Sequence, residues 1–159
     1  MAVLRMIRTI VVALALLATP AFAQPQTFQT FTSAPLTIDT AKGRQRLTVE
    51  LALTPAQQEQ GLMFRREMAP DAGMLFVAAQ PQIMTFWMHN TLIPLDMLFI
   101  AAGGKIVDMH ERAVPMSDAT IVSHAPAIAV LELNGGTADR LGIKIGDIVH
   151  AAALGDAAN

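Results

Sequence analysis

The stretch FWMHNTLIPLD, residues 86–96, gathers an indole, an imidazole, an amide, a hydroxyl and a carboxylate into a chain that is 53% apolar. On an extended strand Trp87 and His89 share one face with Thr85, while Met84, Phe86 and Met88 share the other. The methionine and phenylalanine set reads as core. The indole and imidazole together suit the floor of a ligand site, although amphipathic rings also cap a core edge with one end wet. Asn90 and Thr91 leave the strand and Pro94 fixes the return, so these side chains either lock the loop through nearby backbone or line a pocket. Asp96 precedes the apolar run Met97-Leu98-Phe99-Ile100, which places its carboxylate in buried surroundings that demand a partner. Arg65 or Arg66 offers a bidentate one. Arg65, Trp87, His89, Asn90, Thr91 and Asp96 grouped in one pocket would take a polar, hydroxyl-rich ligand such as a saccharide, with the indole as stacking platform.

A second carboxylate adds an enzymatic alternative. In AIAVLEL, residues 127–133, Glu132 falls on one strand face with Ile128 and Val130, which points it inward. If Glu132 and Asp96 faced one cleft they would form an acid and base pair for a hydrolase, as in glycoside hydrolysis. A third reading is copper binding, because the four histidines (89, 110, 124 and 150) lie in a chain rich in methionine, and thioether and imidazole ligands suit that metal. Met88-His89 and Met109-His110 look inviting, but adjacent strand residues point apart. The chain has no cysteine, which excludes disulfides, thiol catalysis and thiolate metal sites. Ser117, Asp118, Ser123 and His124 supply the residue types of a triad without any nucleophile turn. No catalytic residue, metal ligand or cofactor is assigned, and a binding or interaction module is favoured over an enzyme.

The elements that must position these residues follow from punctuation and period. Arg5 and Arg8, the apolar run from Ile10 to Ala18 and the small-x-small triplet Ala21-Phe22-Ala23 read as a signal peptide over residues 1–23, cleaved before Gln24. The apolar run is too short to span a bilayer. Its removal leaves a chain expected in the periplasm or secreted, with no membrane span. Of eleven Lys and Arg, two fall in the leader, so nine face thirteen Asp and Glu and the net charge is −4. That balance excludes a nucleic-acid footprint, which needs a basic face. A flexible lead-in is expected over residues 24–34 and a single β-rich domain over 35–155, long enough to bury its own core; the sequence is silent on oligomeric state.

Within that domain, RQRLTVELAL (44–53) alternates apolar and polar residues as a half-buried strand does. Thr54-Pro55-Ala56-Gln57 gives a cap, a first-turn proline and a capping-box glutamine, and Gly61 a stop, so the spacing predicts a short helix over 55–60. GMLFVA (73–78), IMTFWM (83–88), DMLFIA (96–101), GKIVDMH (104–110), AIAVLEL and DIVHAAAL (147–154) are strand-length runs. Gly103-Gly104 reads as a two-residue hairpin turn. The fold class is mainly β, an antiparallel sandwich or jelly-roll-like barrel with one or two short helices.

The order GLM-x-R (61–65), GMLF (73–76), FWM-x-NT-x-IPLD (86–96), LEL-x-GG (131–136) and GI-x-x-GD (142–147) resembles the domain of unknown function 192 family over nearly the whole domain. The resemblance implies a compact, mostly β, jelly-roll-like module, often exported, and implies no activity. Position 89 departs from it: the family's usual residue there is Lys, which weakens any metal role for His89.

Overall fold

The structure is a computed structural model and describes residues 28–155; the expected leader lies outside them. The alternating stretch forms β2 (Gly43–Ala52), with Leu47 and Val49 buried and Arg46 and Thr48 exposed. It pairs antiparallel with β1 (Thr32–Thr40), so the part of the expected lead-in from Thr32 onward is strand.

Thr54 then caps α1 (Pro55–Gln60) through the predicted box: its hydroxyl accepts from the Gln57 amide while the Gln57 side chain accepts from the Thr54 amide. Gly61, at φ +48°, ends the helix. No residue of α1 is buried. Side-chain amides hold it instead, Gln57 donating to the Thr30 carbonyl and Gln58 to the carbonyls of Ala52 and Val77.

The connection through α1 carries the chain back so that β3 (Ala72–Gln82) runs parallel to β2. A parallel neighbour needs a crossover of about a dozen residues or more, and residues 53–71 provide it. The sheet is therefore mixed where an all-antiparallel one was expected. β4 (Thr85–Phe86), β5 (Leu95–Ile100), β6 (Ile106–Ala113), β7 (Ile121–Val122), β8 (Ala127–Asn134), α2 (Thr137–Leu141) and β9 (Ile148–His150) follow. The main sheet has the order β6-β5-β8-β3-β2-β1-β9, and β4 pairs only with β7. Glycines 103 and 104 both take positive φ, but the turn they serve spans Ala101–Lys105, longer than a two-residue hairpin.

Leu36, Ile38 and Val49 of β1 and β2 share one apolar cluster with Leu98, Ile100 and Ile106 from β5 and β6, near the opposite end of the strand order. The sheet must curl to bring them together. Hydrogen bonds from the Ile106 amide to the Asp147 carbonyl (2.9 Å) and from the Val149 amide to the Gly104 carbonyl (2.8 Å) join its two edges at one corner. The result is sandwich-like and mainly β, without a closed barrel. The opposite face carries a second cluster, in which Met74, Phe76, Met97, Phe99 and Val130 of the sheet meet Leu62, Met84 and Met88 from the segments laid over it. Phe86 of β4 clamps that layer down, its ring edge-on to Phe76 (5.2 Å) and to Phe99 (6.3 Å). Among the described residues no helix is long and apolar enough to cross a membrane.

Candidate functional site

Between α1 and the overlying segment 82–91 runs a groove with two compartments sharing Trp87 as their common wall. The first, about 420 Å³, has Glu132 among its lining with Gln58, Gln82, Thr85, Trp87 and Thr91. The second, about 520 Å³, is lined by Phe28, Gln60, Phe64, Trp87, His89 and Asn90.

Strand parity places each group. β4 is only two residues long, yet the alternation holds beyond it: Met84 and Met88 are buried under the segment, whereas Trp87 stays 54% exposed. The Trp87 and His89 rings stack, with centroids 5.0 Å apart and planes at 30°. His89 Nδ1 lies 2.6 Å from the Asp118 carboxylate, which turns the imidazole plane toward the indole. The expected open face therefore exists.

The backbone beside it is under tension. Asn90 and Phe64 both adopt left-handed φ, +52° and +65°, and the Phe64 amide donates to the Asn90 carbonyl at 2.8 Å. Asn tolerates this conformation; a bulky Phe is strained in it, and such strain gathers at sites that a surrounding structure over-determines. It positions the Phe64 ring against Phe28, edge-on at 6.0 Å, as the far wall of the second compartment. The Gln29 amide donating to Gln60 Oε1 draws the chain entering β1 onto α1.

Glu132 lies in the middle of β8, flanked on the same face by Met74 of β3 and Met97 of β5. It is 4% exposed, its carboxyl still reaches the first compartment, and burial rather than any hydrogen bond governs its titration. Burial pushes its carboxyl up to about 8, so at neutral pH it is mostly a neutral acid. A buried titratable group with a strongly raised value in a cleft is the pattern that functional carboxyls show.

Two of the expected pocket residues lie elsewhere. Asp96 is paired in register with Leu133, one position off Glu132, so the two carboxylates project from opposite faces of the sheet. The hydrolase pair of Asp96 and Glu132 does not form. Asp96 is fully buried as a structural tie: its carboxylate accepts from the amides of Arg112 (2.8 Å), Gly136 (2.9 Å) and Ala138 (2.8 Å). It thereby satisfies the start of α2, and the arginine partner expected for it is replaced by backbone. Arg65 instead pairs with Glu50 and lies over the Phe31 ring, in a separate recess. The copper reading of Met88-His89 fails likewise, since Met88 is buried and His89 lies on the open side. Among the described residues no three His, Asp or Glu side chains gather as metal ligands; His124 and His150 are each engaged by one aspartate, Asp108 and Asp39.

The groove thus joins Trp87, Thr91 and Glu132 on one side and Trp87, His89 and Asn90 on the other. Sequence reasoning missed the wall opposite them, Gln58, Glu59, Gln60, Met63 and Phe64. A signal was present: PAQQEQ has no apolar stripe, and a helix without one is held by something other than core burial.

A search of curated proteins finds no match. Two solved structures are similar across most of the chain. One, of a Sinorhizobium meliloti 1021 protein called a candidate transcription regulator, is 49% identical with a TM-score of 0.77, covering 80% of this chain and 99% of its own. The other, a Novosphingobium aromaticivorans DSM 12444 protein of unknown function, is 40% identical with a TM-score of 0.72, covering 84% and 94%. The family model DUF192, described as an uncharacterised ACR, matches residues 37–151, from β1 through β9, and the chain belongs to that family.

Proposed function

We propose that the protein is an exported small-ligand-binding module of the cell envelope that holds a polar, saccharide-like molecule in the groove beneath α1. The observation that carries this reading is the open indole of Trp87 lining the same recess as the nearly buried Glu132 carboxyl. A flat apolar platform flanked by amide, hydroxyl and carboxyl groups is what a sugar ring needs, since it stacks one face and hydrogen-bonds around its edge. Gln58, Gln60, Gln82, Thr85 and Thr91 supply that edge. The net charge of −4 after the leader argues against a nucleic-acid partner.

Trp87 is the sole tryptophan, so its fluorescence reports on the groove alone. A glycan screen should find compounds that shift its emission, and calorimetry should show Trp87→Ala weakening them by about 2 kcal/mol, roughly thirtyfold. Equal affinity in parent and variant, with the variant folded, would misplace the site. Export rests on the leader motifs alone, outside the described residues. Mass spectrometry of the exported protein should give an N-terminus at Gln24; an exported chain that keeps Met1 would overturn the cleaved leader.

A further inference from the structure

We infer that the ligand of this groove carries a protonated amine, seated with its cationic head at Glu132 and its body against the Trp87 indole. This rests on the groove reading above and narrows its ligand class. Three observations carry it. The charged side chains lining the first compartment are Glu59 and Glu132, both acidic, and neither compartment is lined by any Lys or Arg among the described residues. Glu132 is only 4% exposed, and it lines the recess. The exposed indole completes the set, because a cation within about 6 Å of an aromatic face is attracted by the ring quadrupole. An anionic ligand would meet two carboxyls and no counter-charge. A neutral one would gain nothing from the Glu59 carboxylate and would leave Glu132 without a counter-charge.

The surroundings of Glu132 define how it titrates. Its neighbours on β3 and β5 are Met74 and Met97, which carry no charge. From α1 it faces Glu59, a like charge, and the segment 82–91 offers Gln82, Thr85 and Thr91 to its compartment. Glu50 lies on the same sheet face beyond Met74, but Arg65 neutralises it. His89 belongs to the second compartment and is engaged by Asp118. An arriving ammonium supplies the one counter-charge that favours ionised Glu132, so seating it expels the carboxyl's proton to solvent.

The test uses three compounds sharing one polyol body: glucamine, the amine; glucitol, uncharged; and gluconate, the acid. With the mature protein, glucamine should bind at least about tenfold more tightly than glucitol, with gluconate weakest. Since burial raises Glu132 to about 8, glucamine affinity should rise several-fold between pH 7 and about 8.5, where its ammonium stays mostly protonated, while glucitol affinity stays level. Calorimetry at pH 7 in two buffers of different ionisation enthalpy should show net proton release on binding glucamine and none on binding glucitol. Glu132→Gln should abolish the preference for the amine and the proton release. Glu59→Gln, on the exposed helix, should lessen the preference without removing the release. Equal binding of glucitol and glucamine, or glucamine binding without proton release, overturns the amine inference and leaves the groove standing. If none of the three compounds disturbs Trp87 fluorescence, the groove reading falls and this inference with it.

Discussion

Glu132 makes stability depend on pH. Unfolded, a glutamate titrates near 4.5; folded, this one holds its proton up to about 8 because burial disfavours the carboxylate. Between those values folding takes up a proton, so stability is greatest on the acid side and falls as pH rises, by about 1.4 kcal/mol per unit at most. Across the window the loss amounts to roughly 4 kcal/mol, a large fraction of a domain's stability. Glu132→Met, which matches its flanking Met74 and Met97, should flatten the profile and stabilise the protein at pH 8 while leaving pH 4.5 little changed. Chemical denaturation at the two pH values checks this, and a parent protein with no such slope would show that the carboxyl is not buried in solution. The inward direction of Glu132 was legible from Ile128, Val130 and Glu132 sharing parity. Its separation from Asp96 was not, because which face each strand turns to the other depends on register across β5 and β8, and sequence does not carry register between segments thirty residues apart.

Elements reveal a similar division. Thr54, Pro55, Gln57 and Gly61 announce α1 because caps and stops are local chemistry, complete within one turn of helix. Asp96 was legible as a buried carboxylate in need of partners, but the partners are three backbone amides brought together by tertiary structure, and a search among charged side chains does not find them. The tie fastens β5 to β6 and to the N-terminal end of α2 at once. Asp96→Asn keeps the shape but turns one acceptor oxygen into a donor facing those N–H groups, so a loss of about 3 kcal/mol is expected. Hydrogen exchange should show protection lost first at the amides of Arg112, Gly136 and Ala138; uniform loss over the whole sheet would mean that Asp96 is ordinary core rather than a local tie. The helix α1 depends on the opposite kind of support. It buries no residue, and the Gln57 side chain both accepts from the Thr54 amide and donates to the Thr30 carbonyl. Gln57→Ala should therefore cost about 1 kcal/mol, the usual loss for a broken cap, and should raise the exchange rate of α1 amides without altering the sheet.

At the scale of the molecule, two layers of different strength emerge. The curled sheet encloses its apolar cluster with strands from both ends of the order, joined by backbone hydrogen bonds at the corner between Gly104–Ile106 and Asp147–Val149. Apolar runs made those strands visible; the curl was not, because it arises from contacts between β1–β2 and β5–β6, far apart in sequence. The groove belongs to the weaker layer: α1, the strained Phe64–Asn90 link and the chain at Phe28–Phe31, held by scattered hydrogen bonds and ring contacts. Phe28 walls the second compartment, Gln29 and Thr30 are tied to α1, and Phe31 packs beneath Arg65. A chain beginning at Thr32 removes all four contacts and leaves every strand of the main sheet intact. Its thermal midpoint should fall by only a few degrees, as a loss of about 1–2 kcal/mol implies for a domain of this size, while ligand-induced change in Trp87 fluorescence should disappear. If the shortened chain binds as the parent does, the second compartment plays no part in recognition; if it fails to fold, the entering segment belongs to the core rather than to the groove.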